Sequence, residues 1–221
     1  MKKVTSTRLI LGFVFLFLFA TLTLCLLKVD VHRVAPFPAE PKLGLSSFNE
    51  WARKLIGHND TAYEISQILG ILALAVCFCF VVVGIYQLVT GKKGLKSISR
   101  GVWSVWALYA LTVATYVFFN RVFVVNYRPV FEEGLKLAPS FPSSHVLLGI
   151  TVYLSASDRA GKMIDNNAVS TLVSVICWLL ALALLVTRTL SGVHWATDII
   201  GAVFLGNAYL CFYLLLAGDK K

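Results

Sequence analysis

The chain has 221 residues, of which 58% are hydrophobic and only 14% charged, with a mean hydropathy of +0.78. A soluble domain carries about 25% charged residues, so this composition excludes an ordinary water-facing surface. The net charge of +9 does not point to nucleic acid, because many of the Lys and Arg flank apolar segments, where they meet lipid headgroups and orient the chain.

The first uncharged run, Leu9 to Leu27, follows a basic start (Lys2, Lys3, Arg8). It exceeds the apolar core of a signal peptide, and Lys28 onwards offers no small-x-small cleavage site, so it reads as a retained helix. Residues 28–64 are mixed in charge and carry Pro36, Pro38 and Pro41. Within them Phe48, Trp51 and Leu55 share one helical face, with Glu50, Arg53 and Lys54 elsewhere. That pattern suits a short helix lying in the membrane interface; an amphipathic packing helix fits it equally well. His32 and His58, in the same segment, have no matching partners and read as solvated loop residues.

Four further spans follow a second one at 65–90: 101–120, 143–157, 168–187 and 197–218, with a basic loop (Lys92, Lys93, Lys96, Arg100) after the second. Pro139 and Pro142 push the start of the fourth span to about Ser143. The expectation is an all-α single domain over residues 1–221, a six-helix transmembrane bundle with a short interfacial helix between the first and second spans. All five cysteines lie inside apolar runs at no metal-binding spacing, so neither a disulfide nor a cysteine metal site is expected.

An even number of spans places both termini on one side, and eleven basic residues fall there against nine opposite. Short basic loops stay inside. The expectation is therefore a multi-pass plasma (inner) membrane protein with cytoplasmic termini. Segments 121–145 and 188–198 then share the extracytoplasmic face, where ionisable groups at membrane depth are costly and usually functional.

Those segments read Arg121-Val-Phe-Val-Val-Asn-Tyr-Arg128-Pro129, then Pro142-Ser143-Ser144-His145, then Arg188-Thr-Leu-Ser-Gly-Val-His194-Trp-Ala-Thr-Asp198. Guanidinium groups offer planar, paired donors matched to phosphate oxygens. Fixed cations of that kind stabilise the charge spread over a phosphoryl group in transfer. Ser143 and Ser144 open a helix, whose free N–H groups suit an anion. His194 and Asp198 are four apart and share a helical face, so the carboxylate can hold one imidazole nitrogen and leave the other to attack. His145 can then donate a proton to the leaving group. A lone His-x-x-x-Asp is more often structural, and a lone Arg near a helix end more often snorkels. A metal held by His145, His194, Asp198 and Glu132 or Glu133 is disfavoured by three neighbouring arginines, and no cofactor is expected.

The three segments resemble the motifs of the type-2 phosphatidic acid phosphatase superfamily, Lys-x6-Arg-Pro, Pro-Ser-Gly-His and Ser-Arg-x5-His-x3-Asp, in order, spacing and nearly all identities. Arg121 stands for the usual Lys, Ser144 for Gly and Thr187 for Ser. The resemblance implies a metal-independent lipid phosphatase with His194 as the nucleophile, Asp198 orienting it and His145 as general acid. It also implies that Arg121, Arg128, Ser143, Ser144 and Arg188 bind the phosphate. Its substrate would be a polyprenyl diphosphate, phosphatidylglycerol phosphate or phosphatidate. A lipid phosphotransferase with the same phosphohistidine is the alternative enzyme, and a non-catalytic phosphate-lipid binder or transporter the alternative of another class. The sequence leaves the oligomeric state open.

Overall fold

The computed structural model describes residues 2–33, 41–129 and 138–218. Among them are seven α-helices: α1 (Lys2–Lys28), α2 (Ser46–Ile56), α3 (Asp60–Thr90), α4 (Arg100–Arg121), α5 (Ser144–Met163), α6 (Asn167–Leu190) and α7 (Ala196–Leu216). A two-residue antiparallel pair, β1 (His32–Arg33) and β2 (Lys42–Leu43), closes the chain between α1 and α2.

Five helices, α1, α3, α4, α6 and α7, are long and apolar enough to cross a membrane. Their outward faces are greasy: Phe17, Ile71 and Phe78 are each about two-thirds exposed. Lipid, not water, is the solvent that accepts such a surface, and the chain is a multi-pass membrane protein. α5 does not meet the same apolar test, and the reason lies in its position. It packs against α3, α4, α6 and α7, burying residues from Val146 to Ala160. A helix wrapped by other helices needs no lipophilic surface of its own, so it can carry Ser155, Asp158 and Arg159. Close approach around it relies on small residues. A Cβ on Gly149 would sit 2.8 Å from Leu184, and one on Gly201 2.5 Å from Phe141.

The two ends of the bundle differ in chemistry. At one end the last carbonyls of α7 are met by cations from three other helices. Arg8 of α1 donates to the Leu214 carbonyl (3.3 Å), Arg100 of α4 to that of Leu216 (2.6 Å) and Lys162 of α5 to that of Gly218 (2.9 Å). Positive charge at a helix C-terminus is favoured by the helix dipole. The start of α1 and the end of α7 therefore share this end. The opposite end gathers α2, the starts of α3, α5 and α7, and the ends of α4 and α6.

Helices outrun the expected spans. α1 begins at Lys2 rather than residue 9, and α3 at Asp60 rather than 65, where the Asn59 side chain caps the Ala62 N–H at 2.7 Å. α5 continues to Met163 rather than 157. Hydropathy marks the apolar middle of such a helix and is silent about its polar outer turns.

Candidate active site

The site is assembled at the start of α7. Asp198 stands in its first turn, where its Oδ2 accepts the Trp195 N–H at 3.0 Å, a capping arrangement favoured by the helix N-terminus. The carboxylate is fully buried and makes two further contacts. Its Oδ1 accepts the Asn126 side-chain amide at 2.9 Å, and its Oδ2 lies 3.5 Å from His194 Nδ1. The Asp198 carbonyl in turn accepts the Ser143 N–H at 3.1 Å. One residue thus ties together the loop after α4, the start of α5 and the loop after α6.

His194 sits in the loop between α6 and α7, its side chain only 3% exposed. That loop turns at Gly192, with φ +65°, where a Cβ would lie 2.1 Å from the Gly57 carbonyl oxygen. His58 of the α2–α3 linker holds the same loop: its Nδ1 pairs with the Ser191 carbonyl at 2.5 Å and its Nε2 with Asp60 at 2.9 Å. The reading of His58 as a solvated residue without partners is corrected here, because the linker folds back onto the loop carrying His194. His32 is exposed, as expected, but stands on β1 and has a partner too, its Nε2 lying 3.5 Å from Asp30 Oδ1.

Arg188, in the last turn of α6, is completely buried. Its Nη1 donates to Ser66 Oγ (3.1 Å) and Gln67 Oε1 (3.3 Å), and its guanidinium lies 5.5 Å from the Tyr63 ring centroid. Its Nε and Nη2 are buried with no protein partner. The same is true of Arg128 Nε, Ser143 Oγ, His145 Nδ1 and both nitrogens of His194 by hydrogen-bond geometry. Buried polar atoms normally find partners. Here several that do not are contributed by motif segments distant in sequence. Their charges also act on one another: Arg128 and Arg188 both bear on His194, and both bear with His194 on His145. Burial pushes His194 below the ordinary imidazole value and the two arginines push the same way, while Asp198 pulls it back up.

Arg128 is placed by a short antiparallel bridge, its N–H donating to the Ala138 carbonyl (2.9 Å) while Ser140 N–H donates to that of Asn126 (2.9 Å). Ser144 and His145, half-buried at the start of α5, line a cavity of about 350 Å³ walled by Gly70, Ile71 and Leu74 of α3 and Val113 and Tyr116 of α4. Arg121 differs from the rest: it ends α4 exposed, with no described hydrogen bond to the cluster. Among the described residues no group of three or more His, Cys, Asp or Glu is placed to hold a metal ion; Glu132 and Glu133 lie outside the described residues. The sequence reading missed Asn126, Ser66, Gln67 and Tyr63, whose partners come from far along the chain.

The fold can be set beside known structures. A crystal structure described as the first transmembrane PAP2 type phosphatidylglycerolphosphate phosphatase, from Bacillus subtilis, matches 91% of this chain and 93% of its own, with a TM-score of 0.58 and 18% identity. The chain has the PAP2-type fold. No family model matches the sequence, and no curated relative does. The fold agrees with the family that the three motif segments resemble.

Proposed function

We propose that this chain is a membrane lipid phosphatase of the type-2 phosphatidic acid phosphatase superfamily, hydrolysing a lipid phosphate or diphosphate through a phosphohistidine. What supports the reading is a set of buried polar atoms without hydrogen bonds in Arg128, Ser143, His145, Arg188 and His194, with Arg188, His194 and Arg128 all acting electrostatically on His145. A phosphate has enough oxygens to engage such a set, and guanidinium N–H pairs match its geometry.

In this mechanism the phosphate rests against Arg128, Arg188, Ser143 and Ser144, with Arg121 reaching it from the end of α4. Asp198 faces His194 Nδ1, so Nε2 is the free nitrogen and attacks phosphorus. As the N–P bond forms, the bond from phosphorus to the leaving oxygen breaks, and His145 gives that oxygen its proton. Asp198 balances the positive charge on the phosphorylated imidazole. Water then attacks the phosphohistidine, His145 takes a proton from it, and orthophosphate departs with His194 restored. The arginines supply the cationic stabilisation that a metal supplies elsewhere, and their charge repels a divalent ion, so the reaction is metal-independent. The cavity beside His145 has walls open to the bundle's outer face, where Ile71 and Val113 are 67% and 58% exposed. A lipid tail lies there while its headgroup meets the arginines.

α5 completes six membrane spans. α2 lies along the interface, burying Ser46, Asn49 and Ala52 while Phe48, Trp51 and Leu55 turn outwards. Both termini are cytoplasmic and the pocket is on the outer face of the inner membrane.

The test is phosphate release from phosphatidate, phosphatidylglycerol phosphate and polyprenyl diphosphate by purified enzyme in detergent. His194→Ala is expected to abolish release while keeping the wild-type helical circular dichroism, and wild-type activity is expected to survive EDTA. Undiminished release by His194→Ala overturns the nucleophile. Label passing to a second lipid instead of to free phosphate identifies a phosphotransferase.

A further inference from the structure

The motifs account for three arginines near the pocket but not for Arg53 on α2. Arg53 lies four residues after Asn49, hence on the same helical face. Asn49 is fully buried and docks α2 onto α7, its Oδ1 accepting both the backbone N–H (3.2 Å) and the hydroxyl (3.1 Å) of Thr197. The lipid-facing aromatics are on the other side, so Arg53 points into the protein.

What it meets there is Trp195, with the guanidinium carbon 5.7 Å from the ring centroid. Trp195 follows His194 directly, and its indole N–H donates to the carbonyl of Tyr127, the residue before Arg128, at 2.7 Å. The ring under Arg53 is thus bonded into two motif segments. Arg53 forms no ion pair among the described residues, and its Nη1 is buried without a partner. A guanidinium stacked by its face keeps its N–H groups free in the plane of the fork. Desolvating a cation without a counter-charge is unfavourable, and Asn49 one turn away shows that a neutral side chain serves docking well enough. Arg53 is half-buried, and an anion at its free Nη1 supplies the counter-charge that the protein does not.

We propose that Arg53 binds a second phosphate group of the substrate, distinct from the one cleaved, and so selects lipids carrying two. This rests on the lipid-phosphatase reading for the identity of the cleaved group. The second phosphate is either the inner one of a diphosphate ester or the phosphodiester of a headgroup.

Calorimetric titration of detergent-solubilised wild type, Arg53→Gln and Arg53→Lys with inorganic pyrophosphate, glycerol 1,3-bisphosphate and orthophosphate tests this without turnover. A charge-assisted hydrogen bond leads us to expect that Arg53→Gln weakens a two-phosphate probe about tenfold more than orthophosphate. Arg53→Lys should recover part of the difference. Comparing probes on one preparation cancels any misfolded fraction. Selective weakening of pyrophosphate assigns the diphosphate ester, and of glycerol bisphosphate the headgroup phosphodiester. Equal weakening of all three probes, as expected if Arg53 only props Trp195, overturns the proposal. So does a wild type that binds two-phosphate probes no more tightly than orthophosphate. Failure of the lipid-phosphatase reading would show separately, as no phosphate release from any lipid while the Arg53-dependent selectivity persists.

Discussion

Asn126 gives the sharpest prediction, because it bonds to Asp198 and fills an unspecified position of the first motif. It is 1% exposed, and its amide is the side-chain donor to Asp198 Oδ1, at 2.9 Å. Removing it in Asn126→Ala leaves one oxygen of a fully buried carboxylate with no protein donor. A hydrogen bond to a charged group contributes about 1.5–3 kcal/mol, and on the proposed phosphohistidine route Asp198 matters most when His194 becomes positive. If most of that energy is felt in the transition state, kcat/KM falls roughly 10- to 150-fold. Asn126→Asp should be worse, since it sets a second carboxyl within hydrogen-bonding distance of the first, and two such groups cannot both ionise cheaply. The measurement is phosphate release at saturating and limiting substrate, with thermal unfolding followed on the same samples. The loss should fall mainly on kcat. Activity of Asn126→Ala within twofold of wild type would refute the view that Asp198 acts as a held carboxylate.

Gly70→Val is expected to cost at least about tenfold in activity with little change in helical content, because a Cβ there already meets His145 at 2.8 Å and bulk beyond it must displace the ring; kinetics beside circular dichroism checks it. Arg188→Lys leaves at most one N–H for a ligand once Ser66 and Gln67 are bonded, where Arg188 keeps both Nε and Nη2 free, so its activity should drop about 10- to 100-fold despite the retained charge. His194 holds its proton less well folded than unfolded. The stability from burying it neutral is therefore complete above about pH 6.5 and is lost as pH falls below that value. Unfolding temperatures measured from pH 8 to pH 5 should slope downwards more steeply for wild type than for His194→Gln, and parallel slopes would contradict the assignment.

What could be read from the sequence was whatever local spacing encodes. The interval of four between His194 and Asp198 anticipated their contact, although His194 stands in the loop just before α7 and not on its face, and Pro142 marked the entrance of α5. The apolar runs located the helices but not their polar ends at Lys2 and Asp60. Tertiary partners were invisible: Asn126 looks like any loop asparagine until Asp198 arrives beside it from 72 residues away. Ser66 and Gln67 likewise look like ordinary helix residues until Arg188 reaches them from α6. His58 read as solvated because its acceptor, the Ser191 carbonyl, is a backbone atom that no side-chain pattern announces. Arg121 matched a motif position, and the structure leaves it exposed at the end of α4.

The enclosed character of α5 bears on how the protein is made. With Asp158, Arg159 and Lys162 near its end, α5 is a poor candidate to leave the insertion machinery for lipid alone, since each such charge is penalised there. These charges pair with one another, Asp158 with Arg159 and with Lys162 (2.7 Å), and the cluster is completed by later chain: Tyr213 donates to Asp158, and Lys162 reaches Gly218. Nascent chains halted after α5 should leave that helix outside the bilayer in a glycosylation-mapping assay, and chains extended through α7 should draw it in. Equal insertion at both lengths would mean that α5 needs no companions to enter.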